Sequence, residues 1–232
     1  MENTIKHLVI SGGGTYGLTA YGILRETNKN NFWKIENIES CHGTSVGTIV
    51  SLLILLKYDW KVMDDYLIKR PWNKAFKYDL KQCLNTFDKC GAFEKNDFTK
   101  AFESLFAGAD INIDITLKEF YELTKVEFYL YCAEINNFEL ECFSYKSHPD
   151  FKVLDAIYAS CSLPIVFQPL IIDNKAYIDG GLFLNYPLKN CLETMEAKND
   201  EIFGIFKSLG GENKKYLKSD SNMYDYFSII LK

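Results

Sequence analysis

Histidine is scarce in this 232-residue chain: His7, His42 and His148 are the three it has. None lies in the last third, so a mechanism needing a late histidine has none to draw on. The seven cysteines (Cys41, Cys83, Cys90, Cys132, Cys142, Cys161 and Cys191) contain no C-x-x-C pair. No Cys/His group has metal-ligand spacing, which argues against structural zinc. An odd, scattered set of cysteines is no disulfide framework and points to reduced thiols in an intracellular, cytoplasmic setting. Long apolar runs are missing too. The longest, Val46 to Leu56, is too short to span a bilayer, and the stretch before Gly12 is too short for a signal peptide. Positive charge has no excess, since 26 Lys and Arg face 31 Asp and Glu for a net charge of −5. No broad basic field draws nucleic acid, and membrane contact would have to come from a local patch.

What is present is an apolar fraction of 47% and an aromatic fraction of 15%, enough for one sizeable core. Ile5 to Ser11 reads as a buried strand, Gly12 to Gly14 as a tight turn and Thr15 to Thr27 as a helix. Glu36 to His42 reads as a second strand, and a strongly apolar helix runs to about Leu56. Strand–turn–helix twice over is the grammar of an α/β sheet with helices on its faces. Tyr58 to Thr124 has helical spacing, with Thr116 and Glu119 forming a capping box. Val126 to Ile135 and Phe138 to Phe143 flank Asn136-Asn137, a hairpin signal. Val153 to Ser160 reads as a helix, Pro164 and Pro169 bracket an extended segment, and Ala176 to Ile178 reads as a strand. Residues 213–232 read as a C-terminal helix packed on the domain, with a membrane surface as the alternative that its Lys-rich start and apolar end leave open. No repeat or linker divides the chain, so residues 1–232 read as a single domain.

Three motifs carry chemistry. In Ser11-Gly12-Gly13-Gly14-Thr15-Tyr16-Gly17, consecutive glycines between strand and helix let backbone N–H groups converge on an anion. Gly12, Gly14 and Gly17 also fit the G-x-G-x-x-G of a dinucleotide-binding module. Such a module expects an acidic residue at the end of the second strand, whereas this strand runs into Gly43-Thr44-Ser45-Val46-Gly47. That second motif is G-x-S-x-G, in which Gly43 and Gly47 relieve crowding where a sharp turn presents a serine hydroxyl. The third, Asp179-Gly180-Gly181, would by itself be an ordinary turn. It gains meaning because Ser45 needs a base. His42 lies three residues before Ser45, which in a strand places the two side chains on opposite faces about 10 Å apart. His148 follows Asp110 and Asp114 and leaves a Ser–His arrangement open, while chain order favours Asp179.

Taken together, these motifs resemble the patatin-like phospholipase family over about residues 5–190. Asp155-Ala156-Ile157, Ala159-Ser160, Pro164, Phe167, Pro169, Asn185 and Pro187 fit the same pattern. The resemblance implies a three-layer α/β fold with a central mixed sheet and a nucleophile elbow after an early strand. It implies a lipid acyl hydrolase with Ser45 as nucleophile, Asp179 as direct base, and Gly12, Gly13 and Gly14 as the oxyanion loop. Gly17, Gly43, Gly47, Gly180 and Gly181 support these turns, and no metal or cofactor takes part. The substrate would be a phospholipid or another acyl lipid. Tyr16 stands where the family often carries Arg or Lys, which makes it a candidate for substrate selectivity. A lipid-binding protein that has kept the fold and lost turnover is the alternative.

Overall fold

His7-Leu8-Val9-Ile10 is buried along its whole length and runs between two parallel neighbours, one strand in from the edge of a sheet. A computed structural model gives the structure of residues 4–207 and 216–221. Its first half contains β1 (His7–Ile10), α1 (Tyr16–Lys29), β2 (Ser40–Thr44), α2 (Val46–Leu55), α3 (Trp60–Asp64), α4 (Trp72–Ala75) and α5 (Leu80–Asp88). There follow β3 (Gly91–Phe93), α6 (Lys95–Gly108), α7 (Leu117–Thr124), β4 (Glu127–Glu134), β5 (Glu139–Phe143) and α8 (Val153–Cys161). The last elements are β6 (Ile165–Phe167), β7 (Leu170–Ile172), β8 (Lys175–Asp179), α9 (Leu188–Met195) and β9 (Ile202–Ile205).

Seven strands form one mixed sheet, in which β9, β1, β2 and β4 are parallel and β5, β8 and β7 join antiparallel. The register around β4 positions the site. β5 borders Leu130 to Glu134 along one edge of β4. On the opposite edge, β2 pairs with residues 127–131, ending at Thr44 opposite Tyr131. β8 takes over that same edge at the next residue, with Asp179 opposite Cys132. β2 and β8 run in opposite directions relative to β4, so their C-terminal ends abut. Ser45 and Asp179 therefore emerge at one point of the sheet.

The two faces of β2 divide the layers. Cys41 belongs to the main apolar core, and Gly43 lies against the backbone of Gly47 and Thr48 in α2. Ser40, His42 and Thr44 face the other way and meet His7, Tyr131 and the Leu184 carbonyl. α9 packs on β1 with Cys191 buried. Apolar sequence fixes the inner helices. α2 is buried at eight of ten positions and α8 at eight of nine, as expected of helices apolar nearly all round. α1 covers α2 with a narrower stripe, Gly17, Ala20, Tyr21 and Leu24, at the i, i+3, i+4, i+7 spacing of an amphipathic helix. The sheet thus lies between helical layers, as the resemblance implied.

The Asn136-Asn137 hairpin and the Thr116–Glu119 capping box form as read from sequence. The second strand starts later than expected: Ile35–Asn37 is a 3₁₀ turn, and pairing begins at Ser40. Residues 216–221 contain a turn and no helix, contrary to the reading of 213–232, whose other residues lie outside those described. Among the described residues, no helix is long and apolar enough to cross a membrane.

Close approach of α2 to β1 gives a stability test. A Cβ on Gly47 would overlap the Ile10 carbonyl, a backbone group that cannot swing aside. Gly47→Ala should lower unfolding free energy by about 2–4 kcal/mol. Gly22, inside α1, has open space around its Cβ position. Gly22→Ala should instead add about 0.5–1 kcal/mol. Urea unfolding of the two variants should show these opposite signs.

Candidate active site

Thr44, the last residue of β2, donates its hydroxyl to the Leu184 carbonyl at 2.9 Å and anchors the strand end. The chain then turns sharply, with Ser45 at φ +53° and ψ −130°, before α2 begins at Val46. A non-glycine residue in such a conformation costs about 1–3 kcal/mol and persists only where the surroundings enforce it. Here they do. The Ser45 carbonyl accepts from the Thr48 N–H at 2.8 Å and the Thr48 hydroxyl at 2.7 Å. Its N–H donates to Ser160 Oγ at 2.9 Å, and the Ser160 hydroxyl donates on to the Tyr131 carbonyl at 2.6 Å. Ser160 on α8 thereby ties the elbow to β4.

Ser45 Oγ donates to Asp179 Oδ2 at 2.5 Å. The other carboxylate oxygen, Oδ1, accepts from the Gly181 N–H at 2.8 Å, and the Asp179 N–H is held by the Ser162 carbonyl at 3.0 Å. Asp179 is 4% exposed. Burial raises its pKa from 3.8 to about 6, and the bonds from Ser45 and Gly181 offset part of that rise. At pH 7 the group is mostly ionised and more basic than a solvated carboxylate.

The glycine loop adjoins the serine. A Cβ on Gly12 would lie 3.1 Å from Ser45 Cβ and would collide with Asn185 Oδ1. Gly13 and Gly14 take φ values of +146° and +56°. Of the three glycines expected to form the oxyanion loop, Gly12 differs in one respect: its N–H donates to the Asn185 carbonyl at 3.0 Å. The N–H groups of Gly13 and Gly14 have no partner among the described residues. The Tyr16 hydroxyl donates to the Phe206 carbonyl at 3.0 Å. Lys207 approaches the loop instead, with Cδ 3.7 Å from the Cβ position of Gly13.

The histidines lie elsewhere. His42 is fully buried on the opposite face of β2, stacked on Tyr129 at 4.4 Å, with Nδ1 3.0 Å from the Tyr131 hydroxyl. Burial lowers its pKa to about 3. His7 pairs with Ser40, and His148 packs edge-on to Phe143. Among the described residues, no three His, Cys, Asp or Glu side chains gather as metal ligands would. Ser160 and Asn185 were not singled out for a role in the site. Each is a polar residue in a largely apolar helix or a short loop, and only the folded geometry shows what it touches.

The model of the patatin-like phospholipase family matches residues 8–192. The chain belongs to the patatin-like phospholipase family. Among curated proteins it is similar to "Probable lipid hydrolase 463L" of Invertebrate iridescent virus 6, with 28% identity over 194 residues. That match covers 84% of this chain and 66% of the viral protein. It is also similar to "Uncharacterized protein R571" of Acanthamoeba polyphaga mimivirus, with 24% identity over 97% of this chain and 74% of that one. Among solved structures, VipD from Legionella pneumophila superposes with a TM-score of 0.61 at 16% identity. The superposition covers 86% of this chain and 49% of VipD, so the patatin-like chain spans about half of that protein.

An ionised carboxylate in a dry site is a burden on the fold. Asp179 binds its proton more tightly folded than unfolded, so native stability falls as pH rises from about 4 to about 6. The full cost, on the order of 2–3 kcal/mol, is present above pH 6 and absent below pH 4. Asparagine can accept the Gly181 bond and donate to Ser45 Oγ without a charge. Asp179→Asn should therefore be more stable than wild type at pH 8 and nearly equal to it at pH 4, as read by denaturant unfolding at both values.

Proposed function

We propose that this chain is a serine hydrolase of acyl lipids, with Ser45 as nucleophile and Asp179 as its direct general base. The observation that carries the reading is the 2.5 Å contact from the Ser45 hydroxyl to a buried carboxylate, made from a strained elbow at φ +53°. A serine hydroxyl is a weak nucleophile until a neighbouring base removes its proton. Asp179 can do so at neutral pH because its pKa is raised to about 6. Membership of a phospholipase family and likeness to a viral lipid hydrolase support the choice of substrate class. Residues 1–232 are taken as one acyl-hydrolase domain.

In this mechanism Ser45 Oγ attacks the ester carbonyl carbon while its proton passes to Asp179. Negative charge gathers on the former carbonyl oxygen, which the Gly13 and Gly14 N–H groups receive beside the positive end of the α2 dipole. Gly12 contributes through its missing side chain rather than through its N–H. Collapse of the tetrahedral species breaks the bond to the alcohol oxygen, and Asp179 returns the proton to that leaving group. Water then attacks the acyl-enzyme and loses a proton to Asp179. The carboxylic acid departs as the proton returns to Ser45 Oγ.

Ser45→Ala and Asp179→Asn should each lower turnover of an activated acyl ester by about 10³-fold or more, with little further loss in the double variant. Ser45→Ala should also abolish labelling by a fluorophosphonate. The rate for wild type should rise with pH to a plateau above about 6, following Asp179. His42→Phe and His148→Ala should leave that profile in place. A folded histidine variant as inactive as Ser45→Ala would replace the dyad with a Ser–His mechanism, and a wild-type protein that binds lipid without turnover would mark it as a binding protein.

Selectivity for charged lipids is assigned to Lys207, whose stem lies beside Gly13 while the Tyr16 hydroxyl is held by Phe206. An exposed cation near the loop should favour a negative headgroup, an effect weakened by salt. Lys207→Ala should lower the rate ratio of anionic phospholipid to neutral ester about three- to tenfold at low ionic strength. Tyr16→Phe should leave the ratio unchanged.

A further inference from the structure

α5 is an amphipathic helix turned inside out. None of its nine residues is buried. Its apolar residues Leu80, Cys83, Leu84 and Phe87 recur at i, i+3, i+4 and i+7, the spacing that normally faces a core. Here the stripe faces solvent: Leu80 is 77% exposed, Leu84 56% and Phe87 82%, and Cys83 is also exposed. Tyr78, just before the helix, is 61% exposed. A contiguous apolar stripe of this kind marks an interaction surface rather than ordinary surface scatter.

Charge around the stripe selects its partner. The chain as a whole is acidic, yet residues 69–89 hold six Lys and Arg against two Asp. Lys74, Lys77, Lys81 and Lys89 are exposed and form no ion pair among the described residues. An apolar stripe flanked by unpaired lysines is the pattern of a helix lying in a membrane interface. Its position fits as well. α5 leads into β3, β3 pairs with β6, and β6 begins three residues after Ser162, whose carbonyl holds the Asp179 N–H. The stripe is thus tied through two short strands to the segment that carries the base.

We infer that the 78–87 stripe is the lipid-docking surface of this protein, inserting Leu80, Leu84 and Phe87 among the acyl chains of an anionic bilayer. The inference deepens the proposed acyl-lipid hydrolysis, and it is tested by binding, which does not require turnover. The full chain carrying Ser45→Ala would be sedimented with vesicles of phosphatidylcholine alone or with 30% phosphatidylglycerol, on the order of the anionic content that attracts basic segments. Binding should be stronger to the anionic vesicles, and adding Leu80→Ser, Leu84→Ser and Phe87→Ser together should weaken it at least tenfold. In a Ser45 background the same triple variant should lose hydrolysis of vesicle lipid and keep hydrolysis of a soluble activated ester. A polarity-sensitive dye on Cys83, with Cys90→Ser, should shift to the blue on adding anionic vesicles, which reads the contact while keeping Leu80, Leu84 and Phe87. Wild-type binding by the triple variant, or a dye blind to vesicles, would overturn the inference. So would a dimer in sedimentation velocity that the triple variant converts to monomer while vesicle binding persists, since the stripe would then join two copies of the chain. Loss of ester turnover in the wild type with vesicle binding intact would refute the hydrolase reading alone.

Discussion

Keeping one carboxylate dry and charged constrains most of what surrounds it. Asp179 sits at the end of β8, where, among the described residues, a serine hydroxyl and one backbone N–H donate to its carboxylate. Neither donor carries a positive charge, so the carboxylate stays a stronger base than it would be beside an arginine. Both donors must therefore be held firmly. The Gly180-Gly181 turn presents the N–H. A Cβ at Gly180 would overlap the Tyr131 carbonyl, so the turn also needs its small residue to lie against β4. The hydroxyl comes from an elbow whose strain is opposed by Thr48, Ser160 and the packing of α2.

One strand coordinates these parts. β4 accepts β2 and β8 end to end on one edge, takes β5 on the other, and offers the Tyr131 carbonyl to Ser160. The same residue, through its ring hydroxyl, meets His42 on the far face of the sheet. The histidine next to the serine in sequence is thus part of the packing behind the sheet. Its low pKa follows from the same dryness that raises that of Asp179, because burial disfavours whichever form carries charge.

Much of this was legible in the sequence where the signal is local. Gly43-Thr44-Ser45-Val46-Gly47 specifies its own turn, and Asn136-Asn137 its hairpin. The opposite-face argument for His42 needed only the two-residue period of a strand. Local signals failed where partners are distant. Glu36 to His42 reads as a strand, yet pairing starts at Ser40, where β1 and β4 flank the chain. β9, four residues of Ile-Phe-Gly-Ile, is too short for periodicity to announce and is recruited by the free edge of β1. Nothing in the triplet of glycines tells Gly12 from its neighbours; the Asn185 carbonyl, brought from the far side of the chain, makes that distinction. Residue type suggested a role for Tyr16, while the fold moved the hydroxyl to Phe206 and brought Lys207 to the loop.

The 134-residue separation between Ser45 and Asp179 has a consequence for the life of the chain before it is folded. Contacts this distant in sequence carry a large loop-closure cost and belong to the slower steps of folding. The elbow and its glycine loop are made from the first fifty residues, but β8, which docks on β4, lies beyond the hairpin and α8 in the chain. A nascent chain leaving the ribosome therefore carries Ser45 before Asp179 can reach it. On the proposed mechanism, reactivity toward esters would begin only with the closing of the sheet.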